Sequence, residues 1–370
     1  MDISVDYHLF RNRIRAFAEA NITPYATQMD VQEALLPCCL DAMKSQGFLG
    51  ANIPIEYGGL GLDSIQIGIL NEEIGRASAS LRCLLTVQGM AAVTIYKWGT
   101  IEQKAYWLPR LASGNKIIAF ALAEPNAGSD ASNLESIVVK NNDLTLNGHK
   151  IWIAMGEIAD AFLVFAREES GISSFIVARA SLGVDIVPVK GLLGNRAVMM
   201  AEANFSQCPI SDDMRIGKKG CGLSHVAMLA LDYGRYTVAW GCVGVAQACL
   251  EFCQKHTQMR IQFGKPLIKF ELVQKMMTEI ISYTKAARTY CLEVGRVRDR
   301  GEPEMISETW IAKYIASKAV NRVAYNAVQI AGGQGCINTV PVERYYRDAR
   351  VMEIIEGNTQ LCEELIASWY

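Results

Sequence analysis

The sequence predicts an α+β protein in three successive parts, helical, then β-rich, then helical again. Three observations carry this expectation. Apolar residues recur at steps of three and four through the first third. Between Ile117 and Ile216 the texture changes to short β-favouring runs. After Gly220 the helical step returns and is sustained along one stretch of roughly thirty residues, far beyond a usual helix of about 11–12. A chain of 370 residues is long enough to build more than one core.

From Leu9 onward, Phe10, Ile14 and Phe17 lie at helical spacing and Pro24 ends the pattern, so the chain opens on an amphipathic helix. Further helical stretches are expected over residues 32–46, 64–76 and 84–98, punctuated by Tyr57-Gly58-Gly59-Leu60-Gly61. Residues 1–116 thus read as a helical domain. Residues 117–216 contain β-favouring runs at 117–122, 136–139, 161–166, 174–178 and 184–189. Asn141-Asn142-Asp143 and Glu169-Ser170-Gly171 supply turn chemistry between runs, and the expectation is a middle domain of antiparallel β character. In residues 217–370, Leu272, Met276, Ile280, Tyr283, Ala287, Tyr290 and Val294 trace one face of a long helix. Two more long stretches, 222–259 and 305–330, complete a bundle.

Lys and Arg total 36 against 38 Asp and Glu, a net charge of −2, with 20% charged and 51% apolar residues. Such a chain is neither disordered nor a polyelectrolyte, and it lacks the basic excess of a nucleic-acid binder. Eleven Cys, an odd number without C-x-x-C spacing, read as reduced thiols and imply a cytoplasmic protein. The first thirty residues mix Arg11, Arg13 and Arg15 with acids and have no long apolar core, so neither a secretory leader nor a membrane partner is expected. His8, His149, His225 and His256 are too dispersed for a metal site, and no metal is expected.

Unusual residues concentrate in three strings, Ala123-Glu124-Pro125-Asn126-Ala127-Gly128-Ser129-Asp130, Gly148-His149-Lys150-Ile151-Trp152-Ile153 and Glu353-Ile354-Ile355-Glu356-Gly357-Asn358-Thr359-Gln360. None is a Walker or Rossmann fingerprint. Periodicity by itself says only that loops of the β domain face a helical bundle across a crevice suited to a ligand. From spacing alone Glu356 is as readily a solvated loop acid, Ser129 a turn cap, Trp152 a core residue and Arg260 a helix end.

In their order along nearly the whole chain, these strings resemble signatures of the acyl-CoA dehydrogenase flavoprotein family. Arg260-Ile261-Gln262-Phe263-Gly264-Lys265-Pro266-Leu267 is similar to its R-x-x-F-G-K segment. Gln329-Ile330-Ala331-Gly332-Gly333-Gln334-Gly335 and Arg347-Asp348-Ala349-Arg350 resemble its Q-x-x-G-G-x-G and R-D-A-K/R strings, and Pro54-Ile55-Glu56-Tyr57-Gly58-Gly59-Leu60-Gly61 fits as well. The resemblance implies a helical N-terminal domain, an antiparallel β-barrel-like middle domain and a C-terminal four-helix bundle. It also implies FAD between the last two, with a neighbouring subunit completing the adenosine site in a homodimer or homotetramer.

Dehydrogenation between Cα and Cβ of an acyl thioester needs a base for the α-proton and a flavin for the β-hydride, since no side chain accepts a hydride. The resemblance makes Glu356 that base. Some relatives carry the base instead before the Arg of a D-x-x-R string, which here reads Asp232-Tyr233-Gly234-Arg235 and offers only Gly234. By the same resemblance Ala123, Ser129, Trp152, Ala154, Arg260, Phe263, Gln329, Gly332, Gly333, Thr359 and Gln360 are cofactor-binding positions, and Ser129, Arg235 and Gly357 meet the substrate. Ala123 and Ala154 replace family hydroxyls that point at the flavin, and Asn358 stands where Thr is usual. Each lost hydrogen bond has a net effect of about 0.5–1.5 kcal/mol, so FAD is expected to bind with altered redox or oxygen behaviour. The thioester is carried on coenzyme A or on an acyl or peptidyl carrier protein, and electron-transfer flavoprotein or another acceptor is the electron partner. A flavin oxidase or monooxygenase on the same fold, and a non-catalytic protein that binds an acyl carrier, are the alternatives.

Overall fold

The structure, a computed structural model, describes residues 6–140 and 142–369. Six helices come first: α1 (Tyr7–Asn21), α2 (Ala26–Gln32), α3 (Pro37–Ser45), α4 (Ser64–Ala77), α5 (Ala79–Trp98) and α6 (Ile101–Ala112). Asp6 caps α1 by accepting the N–H groups of His8 and Leu9, and Asp63 forms a capping box with Gln66 at the start of α4. The single helix expected over 32–46 is instead a break followed by α3. Glu33 ends α2 in the left-handed region at φ 50°, and Leu36 is extended before Pro37, whose missing N–H is harmless in the first turn of α3. Helix α6 lies in a region without an expected element. Helix α5 is long and apolar enough to cross a bilayer, yet it runs inside the fold with Leu84, Met90 and Ile95 buried.

The middle region supplies β1 (Ile118–Ala121), β2 (Ile137–Lys140), β3 (Leu144–Ile153), β4 (Ala161–Glu168), β5 (Gly171–Ala178), β6 (Val184–Pro188), β7 (Ala201–Ile210) and β8 (Arg215–Ile216). They form one sheet in the order β6-β7-β3-β2-β4-β5-β8, with β1 on β4. This corrects the barrel-like, antiparallel expectation: among the described residues the sheet does not close, and it is mixed. Strands β1 and β2 both run parallel to β4, pairing Ile118 with Ala161 and Ile137 with Arg167. With β5 on the other edge of β4, the chain leaves the sheet after β1 and returns further along the same edge in the same direction. The hairpin expected at 169–171 is present, Glu168 pairing with Gly171. Asn141 of the other expected turn lies outside the described residues, while Asn142 and Asp143 form a bend between β2 and β3.

A small hairpin, β9 (Ile261–Gln262) and β10 (Lys265–Pro266), interrupts the C-terminal helices. These are α7 (Met228–Met259), entered through a π-helical turn at Gly222–Ala227, α8 (Glu271–Arg300), α9 (Met305–Ala331), α10 (Val342–Ile354) and α11 (Thr359–Ser368). Helices α7 to α10 pack together as a four-helix bundle around Trp240, Val243, Ile280 and Val320. The outer face of α7 packs on α4 and α5. The site develops along that seam and at the link between α10 and α11.

Candidate active site

Glu356 lies in the short link between α10 and α11 with φ 57°, a conformation that non-glycine residues seldom adopt. Gly357 follows at φ 96°, and a Cβ there would lie 2.9 Å from the Trp310 ring. Asn358 then caps α11, its Oδ1 accepting the Leu361 N–H at 2.9 Å. The Asn that departs from the family string is thus a sound helix start. This reversal brings the Glu356 carboxylate onto α7, where a Cβ on Gly234 would lie 2.5 Å from Oε2. The position that is empty in the D-x-x-R string is the space that the Glu356 carboxylate fills.

Two buried cations hold the link through its backbone. Arg235 Nε donates to the Glu356 carbonyl at 3.1 Å, with its guanidinium 3.7 Å from the Trp310 ring centroid. Lys313 Nζ donates to the carbonyls of Glu353, at 3.1 Å, and Gly357. Glu356 as a residue is half-buried, but Oε2 meets neither solvent nor a donor. Burial pushes its pKa up to about 7, against the pull of Arg235, Lys313 and Arg82 in the other direction. A carboxylate so placed is matched to proton abstraction near neutral pH.

The other two strings meet beside it. The Ile151 N–H donates to the Ala123 carbonyl at 2.9 Å, laying residues 123–130 along the end of β3. Lys150 is buried there, donating to the Leu122 carbonyl at 3.1 Å and to Glu124 Oε1 at 2.6 Å, while Glu124 also accepts the N–H groups of Glu135 and Ser136. Trp152 has φ 54° and is 60% exposed, so it is not a core residue. Ala123 and Ala154 are half-buried at either side. Ser129 is exposed and accepts from Asn358 Nδ2 at 3.2 Å, tying the first string to the third. Thr359 is buried with its hydroxyl on Glu353 Oε1 at 2.8 Å, and Gln360 is exposed in the first turn of α11.

Arg260, Gly332 and Gly333 form a second group, lining with His256 and Gln262 a cavity of about 390 Å³. The Arg260 N–H also closes α7 on the His256 carbonyl, so the helix-end reading and the cavity reading both hold. The Gln329 carbonyl accepts the Gly332 N–H at the end of α9, and Phe263, on the β9–β10 turn, is 93% exposed. Among the described residues, no cluster of three or more His, Cys, Asp or Glu is placed to hold a metal ion.

Sequence reasoning singled out neither the Glu124–Lys150 pair as a support nor Lys313, Trp310 or Arg82. The available signal was a lone charge within an apolar helical run, as at Arg82 and Lys313.

The donor set suits FAD. Trp152 offers an exposed aromatic face, and the Arg260 cavity combines a guanidinium with an open backbone turn of the kind that holds a diphosphate. Such an arrangement is compatible with a flavin-dependent oxidoreductase. Residues 4–115, 119–208 and 222–370 match the N-terminal, middle and C-terminal domains of acyl-CoA dehydrogenase. The short-chain specific acyl-CoA dehydrogenase of Mus musculus mitochondria is 34% identical over 374 residues, covering 99% of this chain and 90% of the relative. Butyryl-CoA dehydrogenase from Megasphaera elsdenii superposes with a TM-score of 0.94 at 31% identity, over 100% of this chain and 99% of the other. The prolyl acyl carrier protein oxidase AnaB superposes with a TM-score of 0.93 at 25% identity, over 99% of both chains. The chain belongs to the acyl-CoA dehydrogenase family, FAD-dependent oxidoreductases that act on CH–CH bonds.

Proposed function

We propose that the protein dehydrogenates an acyl thioester between Cα and Cβ, with Glu356 removing the α-proton. The observation that supports this most directly is the Glu356 carboxylate itself, seated over Gly234 with one oxygen unpartnered and its pKa raised to about 7. Bound FAD supplies the acceptor for the β-hydride. Arg235 and Lys313 occupy the carbonyls of Glu356 and Gly357, which fixes the link, and the Glu356 N–H would hold the thioester oxygen as negative charge builds there. Trp152 would pack beside the flavin ring, while Arg260, Gly332 and Gly333 would hold the adenosine diphosphate portion of a neighbouring subunit's cofactor in a homodimer or homotetramer.

A carrier-protein thioester and an oxygen-dependent outcome form a second reading. It is favoured by Ala123 and Ala154, which bring methyl groups where relatives bring hydroxyls, and by the likeness to AnaB. Anaerobic visible spectra of the FAD-loaded protein test both readings. Bleaching by acyl-CoA supports an acyl-CoA dehydrogenase, with electron-transfer flavoprotein as a fitting acceptor. Bleaching only by carrier-bound acyl groups, followed in air by peroxide, supports the second reading. No bleaching by either thioester refutes dehydrogenation.

A further inference from the structure

Three buried cations surround Glu356, and none of them pairs with it. Arg235 on α7, Lys313 on α9 and Arg82 on α5 all favour its charged form. Among the described residues, however, the carboxylate makes no ion pair, and Oε2 has no donor. Elsewhere in this fold well-covered cations close on carboxylates directly, Lys150 on Glu124 at 2.6 Å, Arg298 on Asp232 at 2.7 Å and Arg347 on Asp30 at 2.6 Å. Here Arg235 and Lys313 are held on carbonyl oxygens and Arg82 on the Thr86 hydroxyl at 2.7 Å. The neighbouring titratable groups supply no counter-charge. Burial keeps Cys83 on α5 and Cys362 on α11 as neutral thiols, and Glu353 on α10 is paired with Arg350 at 2.6 Å.

Arg235 has the most to gain from the free carboxylate. Burial works against its charge, Glu356 is the foremost group in its favour, and Asp232 is already taken by Arg298. What occupies the guanidinium instead is Trp310, a residue of α9 that is 5% exposed. The guanidinium carbon lies 3.7 Å from the ring centroid, while the edge of the same ring meets the link, Cζ3 lying 2.9 Å from a Cβ placed on Gly357. Lys313 follows three residues later on the same face of α9, so one helix presents ring and ammonium together to the link. A cation over an aromatic face is stabilised without forming an ion pair, and most strongly where water is excluded. Pairing with Arg235 would give the carboxylate a hydrogen-bonded opposite charge and make it a weaker base.

We infer that Trp310 is a positioning residue, whose ring holds the Arg235 guanidinium on the backbone of the link and off the Glu356 carboxylate, so that the base stays unpaired. This rests on Glu356 as the base, as proposed above.

The test titrates the Glu356 carboxyl band by infrared difference spectroscopy in the FAD-loaded protein without thioester, each spectrum taken against its Glu356→Gln counterpart. Flavin reduction by butyryl-CoA and by a butyryl carrier protein is followed over the same pH range. Trp310→Leu, which removes the aromatic face, should move the infrared midpoint at least about one pH unit below its value near 7, and reduction above the new midpoint should slow about tenfold. Trp310→Phe, which keeps a face, should hold the midpoint of the unmodified protein. A midpoint unchanged in Trp310→Leu, even with a lower urea midpoint, would show that the ring only fills space and would overturn the assignment. A midpoint that rises would overturn it too, because the guanidinium would then leave the site rather than pair, and so would a fall as large in Trp310→Phe as in Trp310→Leu. Should Trp310→Leu fail to fold, Arg235→Lys decides: it keeps the charge without the stacking face, and its midpoint should fall likewise. A lowered infrared midpoint in a protein whose flavin no thioester bleaches would uphold the hold of Trp310 on Arg235 and defeat the dehydrogenase reading, whereas bleaching with an unmoved midpoint would do the reverse.

Discussion

The chemistry turns on one carboxylate and the glycine beneath it. Because burial raises the Glu356 pKa to about 7, the ionised base is scarce in mild acid. The second-order rate of flavin reduction by substrate should rise about tenfold per pH unit below 7 and level off above it. A break near the ordinary carboxylate value of 4.5 would show that burial does not govern this group. Glu356→Gln should abolish flavin reduction while FAD stays bound, and a visible spectrum before and after substrate reads both. Gly234→Ala is the complementary change. Its Cβ would meet Oε2 at 2.5 Å, so the carboxylate must move, and reduction should slow at least about tenfold. Gly234 was readable in the sequence because an absent side chain in a recognisable string is informative. Arg82 and Lys313 were not, because a charge in a helical run looks the same whether it faces water or a partner across the core.

At the scale of elements, β3 and the excursion between β1 and β2 are joined by the Lys150–Glu124 pair. Lys150 has its pKa lowered to about 8, burial outweighing the attraction of Glu124. The folded value lies below the ordinary 10.5, so the unfolded chain binds the extra proton, and Lys150 costs the fold stability below about pH 8 that is recovered as pH rises toward 10.5. Resistance to urea should therefore increase between pH 8 and 10. Removing one partner of a buried pair costs about 3–5 kcal/mol, so Lys150→Met should unfold more easily and lose that pH dependence, and Lys150→Met combined with Glu124→Gln should recover part of the loss. Equal flavin dissociation constants in Lys150→Met and the unmodified protein would exclude a link between this pair and the flavin loop. The same pair explains why β3 was hidden. Asn147-Gly148-His149-Lys150 reads as loop chemistry, and only the fold reveals that Lys150 points inward to a carboxylate. Long helices α7 to α9 were legible because a 3.6-residue period repeated over many turns leaves little ambiguity. The parallel pairing of β1 and β2 with β4 was not, since it depends on where a crossing segment returns rather than on the strands' own residues.

On the scale of the whole molecule, helix α10, which leads into the Glu356 link, is also where the three parts are sewn together. Arg347 on this helix grips both oxygens of Asp30 on α2, at 3.0 and 2.6 Å, and donates to the Leu193 carbonyl at 3.2 Å. Its neighbour Asp348 accepts the Asn195 N–H at 2.6 Å from the same middle-domain loop. Burial raises the Asp348 pKa from 3.8 to about 6, in spite of that N–H and of Arg344 nearby. Because the folded value is the higher one, the folded state holds the extra proton, and the stability Asp348 contributes is greatest below pH 3.8 and falls until about pH 6. The full swing is on the order of 3 kcal/mol at 1.36 kcal/mol per unit. Asp348→Asn keeps an oxygen for the Asn195 N–H but has no proton to lose. Urea denaturation of the FAD-loaded protein at pH 4, 5, 6 and 7 should therefore show the variant gaining on the unmodified protein as pH rises to 6, with a constant difference above it. A difference independent of pH would mean that Asp348 is ionised throughout, and that Arg344, Arg347 and the Asn195 N–H together outweigh its burial at this three-way seam.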